Sequence, residues 1–152
     1  MKTLGKQSDK QAVLVRLRQV RADSQRRWGK MSPHQMICHL NDSFKVAIGE
    51  KAVTPAGRML PGKVVKAFAL YMPLRWPHGI PTRPEMNQEV GGTKPGEFAA
   101  DVQELERLID RITQRQKDFQ WGAHPLFGSM PDRDWLRWGY LHLDHHLRQF
   151  GV

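Results

Sequence analysis

Between Phe98 and Ile112 the apolar residues Phe98, Val102, Leu105, Leu108, Ile109 and Ile112 recur every three or four positions, with no glycine or proline among them. An α-helix gathers such a series onto one face, and the charged residues between them fall on the other. The spacing predicts a long helix over roughly 97–118.

Three more helices follow from the same reasoning. Ser8 and Asp9 are residue types that cap helix N-termini, and Val13, Leu17, Val20 and Ser24 then form a stripe that Arg16, Arg18, Arg21 and Arg26 largely avoid. This predicts a first amphipathic helix over 8–27, with Gly29 standing where a C-terminal cap would. Ser32-Pro33 reads as an N-cap followed by proline at the first helical position. The second helix then runs over 33–49, with a stripe of Ile37, Leu40, Phe44, Ala47 and Ile48 and Gly49 as its stop. Near the C-terminus, Ser129-x-x-Asp132 has the form of a capping box opening a final helix that carries the chain's last histidines.

Between the second and third long helices the chain changes character. Val64, Val65, Phe68, Ala69 and Tyr71 suggest one short helix, after which Pro73, Pro77, Pro81, Pro84 and Pro95, with Gly79, Gly91 and Gly92, forbid long regular structure. Tyr71, Trp76, Ile80 and Met86 in this stretch argue that it packs onto one end of the domain. The expected architecture is all-α: an up-down four-helix bundle in a single domain over 1–152, with a long Pro-rich crossover between helices two and three.

Composition narrows the function classes. A chain of 152 residues with 39% hydrophobic and 26% charged residues is that of an ordinary soluble protein, long enough to bury about two thirds of its unfolded surface. No apolar run approaches the ~18 residues of a membrane span, and the positively charged N-terminus has no hydrophobic region behind it. The lone Cys38 can form no internal disulfide, which fits the cytoplasm. The net charge of +9 and pI near 10.1 invite a nucleic-acid reading. The excess lies in residues 1–30, where nine Lys or Arg face Asp9 and Asp23, and in residues 50–84. No nucleic-acid motif accompanies it, so a solvated cationic face is the simpler account.

Three of the seven histidines crowd into His142-Leu143-Asp144-His145-His146. His142 and His146 are one helical turn apart on the sector that carries Trp135, Trp138, Leu143 and Phe150, while Arg133, Arg137, Asp144 and Arg148 fall opposite. Such a pair can present two nitrogens to one metal ion, or can be two buried histidines with hydrogen-bond partners. The zinc-protease arrangement is excluded because Leu143 occupies the position that needs glutamate. His145 points to the side. His39 lies at the edge of the second helix's stripe, beside Met36, Ser43 and Val46, where either a ligand at a pocket mouth or a half-buried surface histidine would sit. Cys38 is about 100° of helix away from His39 and is no ligand with it. The five tryptophans, Trp28, Trp76, Trp121, Trp135 and Trp138, are expected as core and pocket wall.

Trp28-x-x-x-Ser32-x-x-x-x-x-x-His39-Leu40, together with His142-x-x-His145-His146-x-x-Gln149, resembles the DinB/YfiT-like superfamily of metal-binding four-helix bundles. His124-Pro125-Leu126-Phe127-Gly128 and the stretch from His142 to Gly151 are similar to a branch of it labelled only as a domain of unknown function. The resemblance covers nearly the whole chain. It implies a divalent ion, zinc or nickel, on His39, His142 and His146, with one coordination position open. Relatives include thiol transferases that use bacillithiol or mycothiol, and metal-dependent hydrolysis is the alternative. It also implies a homodimer. Asp42, one turn beyond His39, His124 in the loop before the last helix, His145, and Gln149 on the face of the pair are the candidate supporting residues.

Overall fold

The computed structural model describes residues 1–57, 61–114 and 119–152. Among these it is all-helical: α1 (Gln7–Leu17), α2 (Pro33–Ala47), α3 (Gly62–Tyr71), a 3-10 turn over Pro84–Met86, α4 (Phe98–Thr113) and α5 (Asp132–Gln149). No strand occurs among the described residues, and the isolated bridge between His124 and Gly128 closes a loop. Among the described residues no helix is long and apolar enough to cross a membrane.

α2 sits at the centre. Its start is fixed by the predicted cap: Ser32 Oγ accepts from Gln35 N at 3.1 Å, and Gln35 Oε1 accepts from Ser32 N at 2.8 Å. Gly49, at φ 76°, takes the left-handed conformation that ends the helix. α2 packs on α4 and α5, while the crossover's 3-10 turn lies against it as well. Burial therefore extends well beyond the predicted stripe, to Met36, Cys38, His39, Asn41, Asp42 and Ser43. His39, expected either at a pocket mouth or half-buried at the surface, is only 6% exposed. The main core draws Val13, Leu14 and Leu17 from α1, Leu40 and Phe44 from α2, Leu105, Leu108, Ile109 and Ile112 from α4, and Leu143 and Leu147 from α5.

Three helix ends differ from the sequence expectation. α1 stops at Leu17, ten residues short of the predicted end. There Gln19 N and Val20 N bond back to Arg16 O and Leu17 O, which tightens the last turn, and Val20 tucks into the core. Ser24 Oγ then accepts from Arg21 N at 2.9 Å, the local side-chain bonding by which serine competes with helix. The chain continues to α5, where Arg27 N donates to Gln149 O at 2.7 Å. At the other end Ser8 and Asp9 are helical residues, not caps; the N-cap is Lys6, and Asp9 accepts from Thr3 N at 3.0 Å. The Ser129 capping box does not form, because α5 begins after Pro131 and Asp132 instead accepts from Trp121 Nε1 at 2.7 Å. The final predicted residues of the third long helix, 115–118, lie outside the described residues, and α4 itself is capped by Glu97, which accepts from Ala100 N at 2.7 Å.

A second apolar cluster of Leu70, Phe127, Met130, Trp135 and Trp138 joins α3 to α5 beside the loop that precedes α5. Lys66 pairs with buried Asp134 at 2.6 Å, and the Tyr71 hydroxyl donates to the same carboxylate. Trp121 stacks on Trp135 with ring centroids 5.4 Å apart. Gly122 lets that loop touch α2: its N donates to Ala47 O at 2.8 Å, and a Cβ there would lie 2.3 Å from Val46 O. Since backbone cannot yield as a side chain would, Gly122→Ala is expected to destabilise by about 2 kcal/mol in urea unfolding. An unchanged midpoint would mean that the loop moves off without loss.

The basic first helix is largely neutralised within the molecule. Lys10 is buried and pairs with Asp110 at 2.6 Å, Arg16 with Asp144 at 2.7 Å and Arg18 with Glu106 at 2.8 Å. These cations face acidic residues of α4 and α5, which weakens the case for a phosphate-binding surface there.

Candidate metal centre

His39 of α2 and His142 and His146 of α5 converge. Each offers one ring nitrogen to a set whose members all lie within 4.8 Å of one another. The three rings form a nearly equilateral triangle, with centroids 5.2, 4.9 and 5.0 Å apart. The i,i+4 spacing on α5 supplies two of them, and the packing of α2 on α5 brings the third.

Hydrogen bonds fix which nitrogen of each ring faces the centre. His39 Nδ1 lies 3.0 Å from Met86 O, a carbonyl that can only accept, so this nitrogen carries the proton and Nε2 is bare. His146 Nδ1 lies 2.9 Å from Gln149 Oε1. The orientation of that amide is set at its other end, where Gln149 Nε2 donates to Trp28 O at 2.9 Å. His146 Nδ1 is then the donor, and its Nε2 is bare as well. A ring nitrogen held by a carbonyl oxygen while the other is left free is the arrangement that orients histidine ligands.

His142 completes the fit to a cation. Its Nε2 lies 3.2 Å from His39 Nε2, so one proton must bridge them, supplied by His142. That leaves His142 Nδ1 buried with no hydrogen-bond partner among the described residues. With a divalent ion among the three rings, His142 would carry its proton on Nδ1 and turn a lone pair on Nε2 inward. Burial holds His39 below the usual imidazole range, and burial reinforced by neighbouring histidines holds His142 and His146 well below it. All three are neutral at pH 7, the form that binds metal.

Aromatic rings pack around the triad. Trp138 packs against His142 at 4.9 Å and Trp76 at 5.9 Å. His145 points to the side, as expected, and stands between Trp28 at 6.0 Å, Trp76 at 6.1 Å and His78 at 6.1 Å. Burial lowers its pKa to about 4. Trp28 and His78, from segments far apart in sequence, stack at 4.1 Å. The sequence singled out neither His78 nor the Met86 carbonyl, the second because a backbone oxygen leaves no trace in residue identity.

Two candidate supporting residues lie elsewhere. Asp42 is fully buried, but it turns to the crossover: it accepts from Thr93 N at 2.8 Å, Thr93 Oγ1 at 2.6 Å, Lys51 Nζ at 2.9 Å and Gln88 Nε2 at 3.3 Å. Four donors occupy it as a clamp. His124 stacks on Phe127 at 4.1 Å and is separated from His142 by Trp138. Its Nδ1 accepts from Leu126 N and Phe127 N, both at 3.2 Å, so it shapes its own loop.

Burial pulls His124 down to about 3, against an unfolded value near 6.5. A histidine that stays neutral when folded contributes stability above about pH 6.5 and loses it as pH falls toward about 3, because the unfolded chain takes up the proton first. His124→Ala is therefore expected to be about 2 kcal/mol less stable than the parent at pH 7.5, from two lost acceptor bonds and a stacked ring. The gap should narrow as the pH falls toward 4 in urea titrations of the metal-free proteins. A gap that widens would show that His124 is charged in the fold.

Neither the curated proteins nor the solved structures contain a significant match to this chain. A family model described as "Protein of unknown function (DUF1569)" matches residues 6–151. With nearly its whole length matched, including both elements that carry the three histidines, the chain belongs to the DUF1569 family.

Proposed function

We propose that this protein is a divalent-metal-dependent small-molecule enzyme of the DinB/YfiT-like kind, a thiol transferase, whose ion is held by His39, His142 and His146. The observation that carries the reading is the orientation of the rings: two imidazoles are anchored through Nδ1 on carbonyl oxygens with Nε2 bare, and the third brings its own Nε2 to 3.2 Å from the Nε2 of His39, a contact between two ring nitrogens that an ion could replace. Three protein ligands leave a position for an exogenous group. Zinc or nickel suits an all-imidazole set.

The ion, when bound, would lower the pKa of a thiol or water in the open position. The protein's own part is to orient the ligands through Met86 O and Gln149, and to surround the position with Trp76, Trp138 and His145. Thiol transfer requires no further base. Hydrolysis, the second reading, gains from a carboxylate beside the water, and Asp42, the carboxylate nearest in sequence to His39, is held by the crossover. This favours the thiol. The aromatic surround suits an electrophile with an apolar or planar body. A homodimer belongs to the same reading, supported by the exposed Val64 and Phe68 of α3.

Elemental analysis of protein purified without a histidine tag tests the reading. At least one equivalent of zinc, nickel or another divalent ion is expected, and the folded His142→Ala/His146→Ala variant should lose one equivalent. A parent that stays metal-free after incubation with these ions would reduce the triad to core packing. A third reading, a basic helical protein that binds nucleic acid or a protein partner and whose histidines serve structure alone, would then come first.

A further inference from the structure

We propose a second divalent-cation site, independent of the triad, formed by His34, Cys38 and Asp101, with Asn41 beside them. His34, Cys38 and Asn41 stand at i, i+4 and i+7 on α2, one stripe that faces the first turn of α4. His39 lies on another face.

The groups meet at Asp101. Its Oδ2 lies 2.7 Å from His34 Nε2 and 3.6 Å from Cys38 Sγ, and it also accepts from Gly96 N at 3.1 Å. One ligand atom from each of His34, Cys38 and Asp101 falls within 4.8 Å of the others. Tetrahedral zinc with ordinary bonds to nitrogen, oxygen and sulfur sets ligand atoms about 3.3 to 3.6 Å apart. The sulfur-to-carboxylate spacing already matches, and the histidine would have to back away from the carboxylate by about half an ångström. Imidazole, thiolate and carboxylate are the ligand types zinc takes.

Asn41 is the second, independent observation. It is 3% exposed, and its Nδ2 donates to Asp101 O at 2.9 Å, which places its amide at the same turn of α4. Its Oδ1 is buried without a hydrogen-bond partner among the described residues. Asn41 thus leaves an unpaired buried acceptor at the turn of α4 that also carries the Asp101 carboxylate, a group that a cation or water bound to it would satisfy. Binding would form a metal–sulfur bond as the Cys38 thiol releases its proton to solvent, and the half-buried His34 side marks the way in.

Cobalt(II) titration of the untagged protein tests this, because a thiolate ligand gives a near-ultraviolet sulfur-to-cobalt charge-transfer band that imidazoles alone do not. The parent is expected to bind two equivalents and to show the band. Cys38→Ala should lose the band and one equivalent, and His34→Ala should lose the band or require far more cobalt to reach it. In His142→Ala/His146→Ala the band should persist, so failure of the triad reading and failure of this one are told apart. A cobalt-saturated parent without the band overturns the proposal, whatever the variants do. So does a band of undiminished intensity and affinity in both His34→Ala and Asp101→Asn.

Discussion

Asp42→Ala is expected to destabilise the protein by about 3 kcal/mol and to weaken metal binding with it. The carboxylate has no exposure and takes four donors from residues 51, 88 and 93, so its loss takes the acceptor from the partly buried Lys51 Nζ, from Gln88 and from the Thr93 amide and hydroxyl at once. Removing one partner of such a pair leaves an uncompensated charge, typically the larger part of the penalty. Lys51 keeps some access to water, which places the effect at the lower end of the usual range. The link to the metal runs through Gln88, whose Nε2 also lies 3.1 Å from Met86 O, the oxygen that holds His39. Urea unfolding of the metal-free protein and zinc titration measure the two effects. If Asp42 served the ion directly, Asp42→Asn would lower affinity with stability unchanged; a clamp requires both to fall.

Gln149→Leu is expected to weaken metal binding about ten- to a hundredfold with the helical content unchanged. Leucine matches the bulk but cannot accept from His146 Nδ1 or donate to Trp28 O, so the imidazole loses the contact that holds its proton on the outer nitrogen. Gln149→Glu separates the two roles, since a carboxylate still accepts from His146 but cannot donate to the Trp28 carbonyl. Its affinity should fall between parent and leucine. Competition with a chromophoric chelator reads the series, and an unchanged constant in Gln149→Leu would mean that His146 is oriented by packing alone. Gly29 bears on the same contact: at φ 79° it leaves room for the amide, and a Cβ there would lie 2.5 Å from Gln149 Nε2.

The fold was legible wherever a local rule carried it. The stripe of α4 and the Ser32-Pro33 start of α2 needed only neighbours in sequence, and both stand. The histidine pair of α5 was legible for the same reason, and the resemblance joined His39 to it. What failed was set by distant partners. α1 ends early because Val20 and Arg27 answer to the core and to α5, not to helical period. Ser129 gives way to Pro131 at the start of α5. Asp42 sits one turn from His39 in sequence, yet its donors arrive from the crossover, which no period relates to α2. His34 and Asp101 drew no attention, since neither makes a pattern until α2 and α4 are packed.

The Met86 carbonyl carries a different lesson, about how substitutions distribute. Any amino acid supplies that oxygen, so the His39 anchor places no demand on the chemistry of residue 86 beyond an apolar fit. The demand falls on the path of the main chain, and so on the residues that bend it. Gly92 has Asn87 C at 2.6 Å from where a Cβ would be, and Gly91 N donates to Pro84 O at 3.0 Å. Variation tolerated at the contact and refused at its flanking turn is the signature such an anchor would leave among descendants of this chain.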